Sequence, residues 1–330
     1  MTKKVLTSNR PYISFVVVTR NDNYGGDLLH RVQTSVNALL TLCEKHRLNM
    51  ELIIVEWNPP KDNLRLANAL KWPKPLKYCQ VRIIEVPGGV HQQLQQLPNF
   101  DQMPLLECTG KNVGVRRAYG NYILVTNPDI LFSEELIGFL SSRSLSLKCF
   151  YRTTRYDIKS PVPTDIPVEK QLGYCKQHIS KVHSYYRSYD NKFSKRFNLY
   201  RLARALIGHL KWRLLLPSFA FPYGNASGDF LLMHRNYWHS LHGYPEIKGP
   251  HHIDSLLLYI ALFQRLKQIR LRSPLAVYHP EHSHLESGKP YSPEVKSAFH
   301  QLLKARKPVI FNDETWGLGK ENLPEVYIRR

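Results

Sequence analysis

The sequence predicts an α/β fold built on a mostly parallel central sheet flanked by helices. Three observations lead there: short apolar runs rich in β-branched residues recur along the first part of the chain, helical stretches separate them, and the runs end in polar loops. Such alternation implies right-handed crossovers and places ligands beyond the C-terminal ends of the strands.

Residues 12–19 form a continuous apolar run, the pattern of a strand buried on both faces. A polar loop at 20–26 follows, then a helix predicted over 27–46 with Leu28, Leu29, Val32, Val36, Leu39, Leu40 and Cys43 at helical spacing. The strand pattern returns at 51–57 and ends at Pro59 and Pro60, which force a turn. A helix at 63–70 leads to a third strand at 81–86. The fourth unit is a Gly-, Asn- and Arg-rich helix at 110–120, a strand at 122–126, and the turn Asn127-Pro128-Asp129. An acid at that position, beyond a central strand, faces the ligand crevice. On spacing alone such an acid is more often a turn or helix cap.

Between 151 and 222 this rhythm breaks. Pro161, Pro163 and Pro167 open the stretch, and from Lys176 to Arg213 ten Lys/Arg stand against one acid, Asp190, with aromatics interleaved. The expected organisation is therefore a ligand-binding half at 10–140, an inserted basic and aromatic helical subdomain or lid at 141–222, and a second half with C-terminal helices at 223–330. The basic stretch fits an anionic membrane surface, a lid over an anionic acceptor, or a solvated helical pair packed on the main domain.

The bulk properties narrow the function without choosing it. The chain has 330 residues, 43% hydrophobic and 22% charged, which is globular composition, and a formal net charge of +20. That field draws anions: nucleotides, nucleic acid or acidic lipid. No nucleic-acid module, P-loop or GxGxxG is present, so nucleic-acid binding is the weaker alternative. Five scattered cysteines with no CxxC pair predict free thiols of a reducing compartment. The first apolar run, 13–18, is too short for a signal or a membrane span. These features predict a cytoplasmic protein, with peripheral contact at the inner face of a membrane as an option.

Several motifs together resemble the family 2 type of glycosyltransferase with the GT-A fold, over roughly residues 12–140 and 224–285. The loop Thr19-Arg20-Asn21-Asp22 matches that family's first nucleotide-contacting loop, and Glu56 stands where an Asp normally ends the second strand. The pattern from Asn112 through Arg116 and Arg117 to Gly120 is similar to the segment preceding the metal-binding Asp-x-Asp. In this chain that tripeptide is Asn127-Pro128-Asp129, with one carboxylate retained. The resemblance implies a Rossmann-like nucleotide-sugar transferase that moves a hexose or similar sugar from a UDP- or GDP-linked donor to a glycan or lipid-linked acceptor, with inversion.

It further implies donor binding by Thr19, Arg20, Asn21, Asp22, Glu56, Asn112, Arg116, Arg117 and Asn127. Asp129, with His279 and His282 from a segment similar to the family's late His-bearing stretch, is implied to hold Mn²⁺ or Mg²⁺. An inverting transfer needs a base for the acceptor hydroxyl, and Asp254, His252 and Asp229 are the candidates. His251 and His252 stand where the family has Glu-Asp. An inactive relative that retains nucleotide or glycan binding is the principal rival reading.

Overall fold

The computed structural model describes residues 10–98, 100, 103–159, 161–183, 188–190, 223–249, 251–283 and 291–328. Its centre is a mixed, mostly parallel sheet of eight strands. Strand β1 (Ile13–Thr19) lies between β2 (Met50–Trp57) and β4 (Tyr122–Val125), parallel to both, and β3 (Cys79–Val86) runs parallel to β2. Beyond β4 come the antiparallel β10 (Leu231–His234), then β6 (Cys149–Arg152) and β11 (Lys267–Arg270). At the other edge, β13 (Glu325–Ile328) pairs antiparallel with β3.

The unbroken apolar runs have a direct physical cause: both faces of this sheet are covered. Phe15, Val17, Leu52 and Ile54 face a core shared with α1 (Leu28–Lys45), α5 (Glu134–Ser141) and α6 (Val168–Gln177). Val16, Val18, Ile53 and Val55 face the opposite core, built with α4 (Glu107–Arg117), α8 (Ile253–Phe263) and α9 (Pro293–Ala305). Each such side chain, fully withdrawn from water, stabilises the fold by about 1.5–3 kcal/mol before entropy is counted. Gly110 and Gly114 let α4 lie directly on β1, since a Cβ at either would collide with Val18 or Val16.

A second sheet of five strands carries much of the polar chemistry, in the order β5 (Leu131–Phe132), β12 (Ala276–Pro280), β7 (Thr154–Ile158), β8 (Ile179–His183), β9 (Ser188–Asp190). The chain passes from β6 in the first sheet to β7 in the second through Thr153 alone. Residues 149–158 thus belong to the two sheets, and α6 packs on α1, so this part of the expected 141–222 insertion is integral to the core. Of the basic stretch from Lys176, the described parts end α6 and form β8 and β9, strands where helices were expected; residues 191–222 lie outside the described residues.

The helix expected at 63–70 is a single turn, α2 (Leu66–Ala69), because Leu70 is already extended ahead of Pro73. The short helices α3 (Gly88–Gln95) and α7 (Arg235–Ser240) complete the described elements. Among the described residues no helix is long and apolar enough to cross a membrane, and all five cysteines are free thiols.

Candidate functional site

The C-terminal ends of β1 and β4 open into a cleft of about 430 Å³. Strand register sets its floor. Thr126 continues β4 by donating to the Val16 carbonyl, after which the chain turns at Asn127-Pro128-Asp129 into the cleft. In the second sheet, the parallel pairing of β7 with β12 sets His279 opposite Asp157 and Val277 opposite Arg155. The antiparallel pairing of β12 with β5, Tyr278 opposite Leu131, brings the chain just after Asp129 alongside His279. Residues separated by some 150 positions in sequence are thereby joined at one end of the cleft: Asp129, His279 and His282 present one ligand atom each, all within 4.8 Å of one another.

This donor set fits a divalent cation. Asp129 and His279 are buried, and the side chain of His282 is 6% exposed. The His282 Nε2 lies 3.4 Å from Asp129 Oδ2, and the His279 Nε2 lies 3.8 Å from Asp129 Oδ1. The His282 Nδ1 meets the Ser283 carbonyl at 3.0 Å. A carbonyl only accepts, so Nδ1 is the donor in that contact and Nε2 is the ring atom that faces Asp129. Burial pushes the His279 imidazole below its ordinary pKa, with Asp129 opposing only in part, which favours the neutral, ligating form. Gly25, at φ +68°, makes room for this arrangement: a Cβ there would stand 2.5 Å from His282 Nδ1.

Arg31 adds a resident cation. Its Nε donates to Asp129 Oδ2 at 3.1 Å, its Nη2 donates to the Tyr24 carbonyl at 2.9 Å, and its Nη1 bonds the Gly26 carbonyl. The guanidinium therefore ties the loop after β1 to the Asp129 carboxylate. The sequence reading missed it because its spacing on α1 places it on the buried face, where an apolar residue is the norm.

Below the cleft runs a chain of alternating polar groups. Lys111, buried on α4, places its ammonium against Glu107, against Asn127 Oδ1 at 3.0 Å and against the Gly228 carbonyl at 3.3 Å, which uses all three donors. The Asn127 Nδ2 donates to Asp229 Oδ1 at 2.7 Å. Asp229 Oδ2 accepts from Arg155 at 2.7 Å, and Arg155 Nε reaches Asp157 at 2.5 Å. Asp157 closes the series at His183, 2.7 Å away. Burial alone would raise the pKa of both Asp157 and Asp229. For Asp157 the hydrogen bond from His183 and the Arg155 charge prevail, and for Asp229 Arg155 does, so both carboxyls sit below their usual range.

The residues expected to bind a donor separate into two groups. Thr19, Arg20, Asp22 and Asn127 line the cleft, together with Asp129, His279 and His282. Asn21 is drawn aside, bonding the Leu64 carbonyl at 2.7 Å. Glu56 neighbours Thr19 in the ladder but is buried, its Oε1 accepting the Leu66 amide hydrogen at 2.9 Å and so capping α2. Asn112 is buried between Tyr244 and Glu246. Arg116 and Arg117 sit at the far end of α4, where they bond the carbonyls of Trp316, Gly317, Leu318 and Glu321. These four side chains, Asn112, Glu56, Arg116 and Arg117, hold the scaffold rather than the cleft.

Among the expected bases, Asp229 is engaged by Arg155 and Asn127, and His252 stacks on Tyr291 with ring centroids 4.1 Å apart. Asp254 accepts from the Ser227 hydroxyl and from the Ser255 amide at 2.8 Å, and its Oδ2 lies beside Gly228 next to Lys111 and Asn127. His251, Glu246 and Glu107 line the cleft as well, and Glu107 escaped the sequence reading because it precedes the recognisable motif. The chain matches no known family model, and no curated protein matches it.

Proposed function

We propose that the protein is a nucleotide-sugar-dependent glycosyltransferase of GT-A type whose donor diphosphate lies in the cleft against Asp129. The observation that supports this most is the meeting of Asp129, His279 and His282 at the ends of strands from two sheets. Asp129, His279 and His282 would hold a divalent cation, whose charge stabilises the leaving nucleotide diphosphate. Arg20 lines the same cleft and adds a guanidinium suited to phosphate oxygens. Thr19 and Asp22, at the end of β1, orient the nucleoside by hydrogen bonding.

Transfer to a hydroxyl acceptor requires removal of its proton as the oxygen attacks the anomeric carbon. Asp254, next to the cleft-lining Ile253, is assigned as that base, because its bonds are to the uncharged Ser227 hydroxyl and Ser255 amide, whereas Asp229 is ion-paired with Arg155 and His252 is stacked on Tyr291. The acceptor is a glycan or lipid-linked alcohol. A second reading, a binding protein without transfer activity, is favoured by one observation: Arg31 already neutralises Asp129.

The test is thermal denaturation with UDP- and GDP-sugars, with and without Mn²⁺, on the native chain and on Asp129→Ala. A donor at one hundred times its Kd should stabilise the native chain by about 2.7 kcal/mol, only with metal and only with Asp129 in place. Metal-dependent release of nucleotide diphosphate from the stabilising donor separates the first reading from the second. Equal stabilisation of Asp129→Ala would sink the first reading and leave the second; no stabilisation of the native chain by any donor would sink both.

A further inference from the structure

We infer that the Asp129–His279–His282 centre selects borderline, imidazole-tolerant divalent ions, Zn²⁺, Co²⁺ and Mn²⁺, and discriminates against Mg²⁺ and Ca²⁺. The inference rests on the reading of this triad as a metal centre and concerns which ion it takes. Two of the three ligand atoms are imidazole nitrogens. Mg²⁺ demands an octahedron of oxygens and Ca²⁺ six to eight of them, whereas imidazole suits later first-row ions.

The oxygens that would complete a hard-ion site are committed elsewhere. Asn127, at the position where a second carboxylate would strengthen such a site, turns its amide oxygen to Lys111 at 3.0 Å and its nitrogen to Asp229 at 2.7 Å. The Asp229 and Asp157 carboxylates are occupied by Arg155, the former also by Asn127 and the latter by His183. Asp129 itself gives Oδ2 to Arg31 at 3.1 Å, which leaves Oδ1 as its oxygen for an ion.

Charge argues the same way. A hard ion is held chiefly by Coulomb attraction to oxygen anions, and here Arg31 offsets the one ligating carboxylate at close range. Attraction to net charge is therefore weak, and binding depends on the covalent strength of the ligand bonds, which rises from Mn²⁺ to Zn²⁺ and is smallest for Mg²⁺ and Ca²⁺ toward nitrogen.

The experiment is calorimetric titration of the metal-stripped full chain with ZnCl₂, CoCl₂, MnCl₂, MgCl₂ and CaCl₂, in the absence of nucleotide, with Mn²⁺ binding confirmed by its paramagnetic resonance spectrum. Native protein is expected to bind the first three at least about tenfold more tightly than Mg²⁺, a gap of ~1.4 kcal/mol. Asp129→Ala should lose that binding. His282→Asp, which exchanges a nitrogen for an oxygen at the rim of the site, should narrow the gap by raising Mg²⁺ affinity, and a far-ultraviolet circular dichroism spectrum verifies that each variant is folded. Mg²⁺ binding as tight as Mn²⁺, lost in Asp129→Ala, overturns the selectivity and leaves the metal centre standing. Absence of binding by every ion, or binding unchanged in Asp129→Ala, overturns both.

Discussion

Replacing Arg155 with Met removes a guanidinium that serves two buried carboxylates. Arg155 lies 2.7 Å from Asp229 and 2.5 Å from Asp157, whose side chains are 3% and 10% exposed. At an effective dielectric constant of about 20, each contact is a gross attraction of roughly 4 kcal/mol. Removing one partner from such a buried arrangement costs about 3–5 kcal/mol, because the remaining charges have neither water nor a counter-ion. Asp229 would keep only the Asn127 amide among its side-chain partners, and Asp157 would keep His183.

The loss carries a pH signature. In the native chain both carboxyls are held below their ordinary pKa, so their contribution is present above the ordinary carboxylate range and is lost as pH falls through the folded values. Without Arg155 the burial that already opposes ionisation prevails and lifts both, so the variant takes up protons on acidification and recovers ground relative to the native chain. Urea unfolding followed by circular dichroism should show a gap of about 3–5 kcal/mol near pH 7 that shrinks near pH 5. Adding Asp229→Asn to Arg155→Met should restore at least about 1 kcal/mol, since the two residues are coupled. A gap of equal size at both pH values, or strict additivity of the two substitutions, would refute the account of this network.

Gly25→Ala should strain the backbone by about 1–2 kcal/mol, as its φ of +68° is left-handed, and its methyl would displace His282. Mn²⁺ affinity measured by calorimetry should drop by about 10–100-fold, the usual cost of disturbing a ligand's support; unchanged affinity would mean that His282 takes no part. Glu246→Gln should stabilise the protein near neutral pH. Burial holds the Glu246 pKa above its ordinary value, so its charge costs stability as pH rises through that interval, while a Gln oxygen would still accept from Asn112 and Gly317. Thermal melts should show a gain near pH 7 that fades toward about pH 4; a loss near neutrality would show that the negative charge itself is needed there.

The order of the first strands and helices was legible because burial on both faces leaves an unmistakable apolar run, as in β1 and β2. Asp129 was legible too, since a strand followed by a turn puts the next polar residue at the sheet's end. Its association with His279 and His282 came from the resemblance, and the fold brings the three together through the register of β12 against β5, a contact between segments more than a hundred residues apart. Nothing local encodes such register.

For the same reason the sequence could not say which polar residues are used up inside the scaffold. Arg117 and Arg155 have the same side chain, yet one bonds carbonyls of the 317–321 segment at the far end of α4 while the other lines the cleft. Glu56 reads as a ligand-facing acid until α2 is seen to need its oxygen as a cap. The sequence by itself determined where strands and helices form and which chemical groups are available, because those follow from short-range periodicity. Only the tertiary structure decided which of those groups face one another, since hydrogen bonds and ion pairs form between atoms that the chain's path, and not its order, brings within reach.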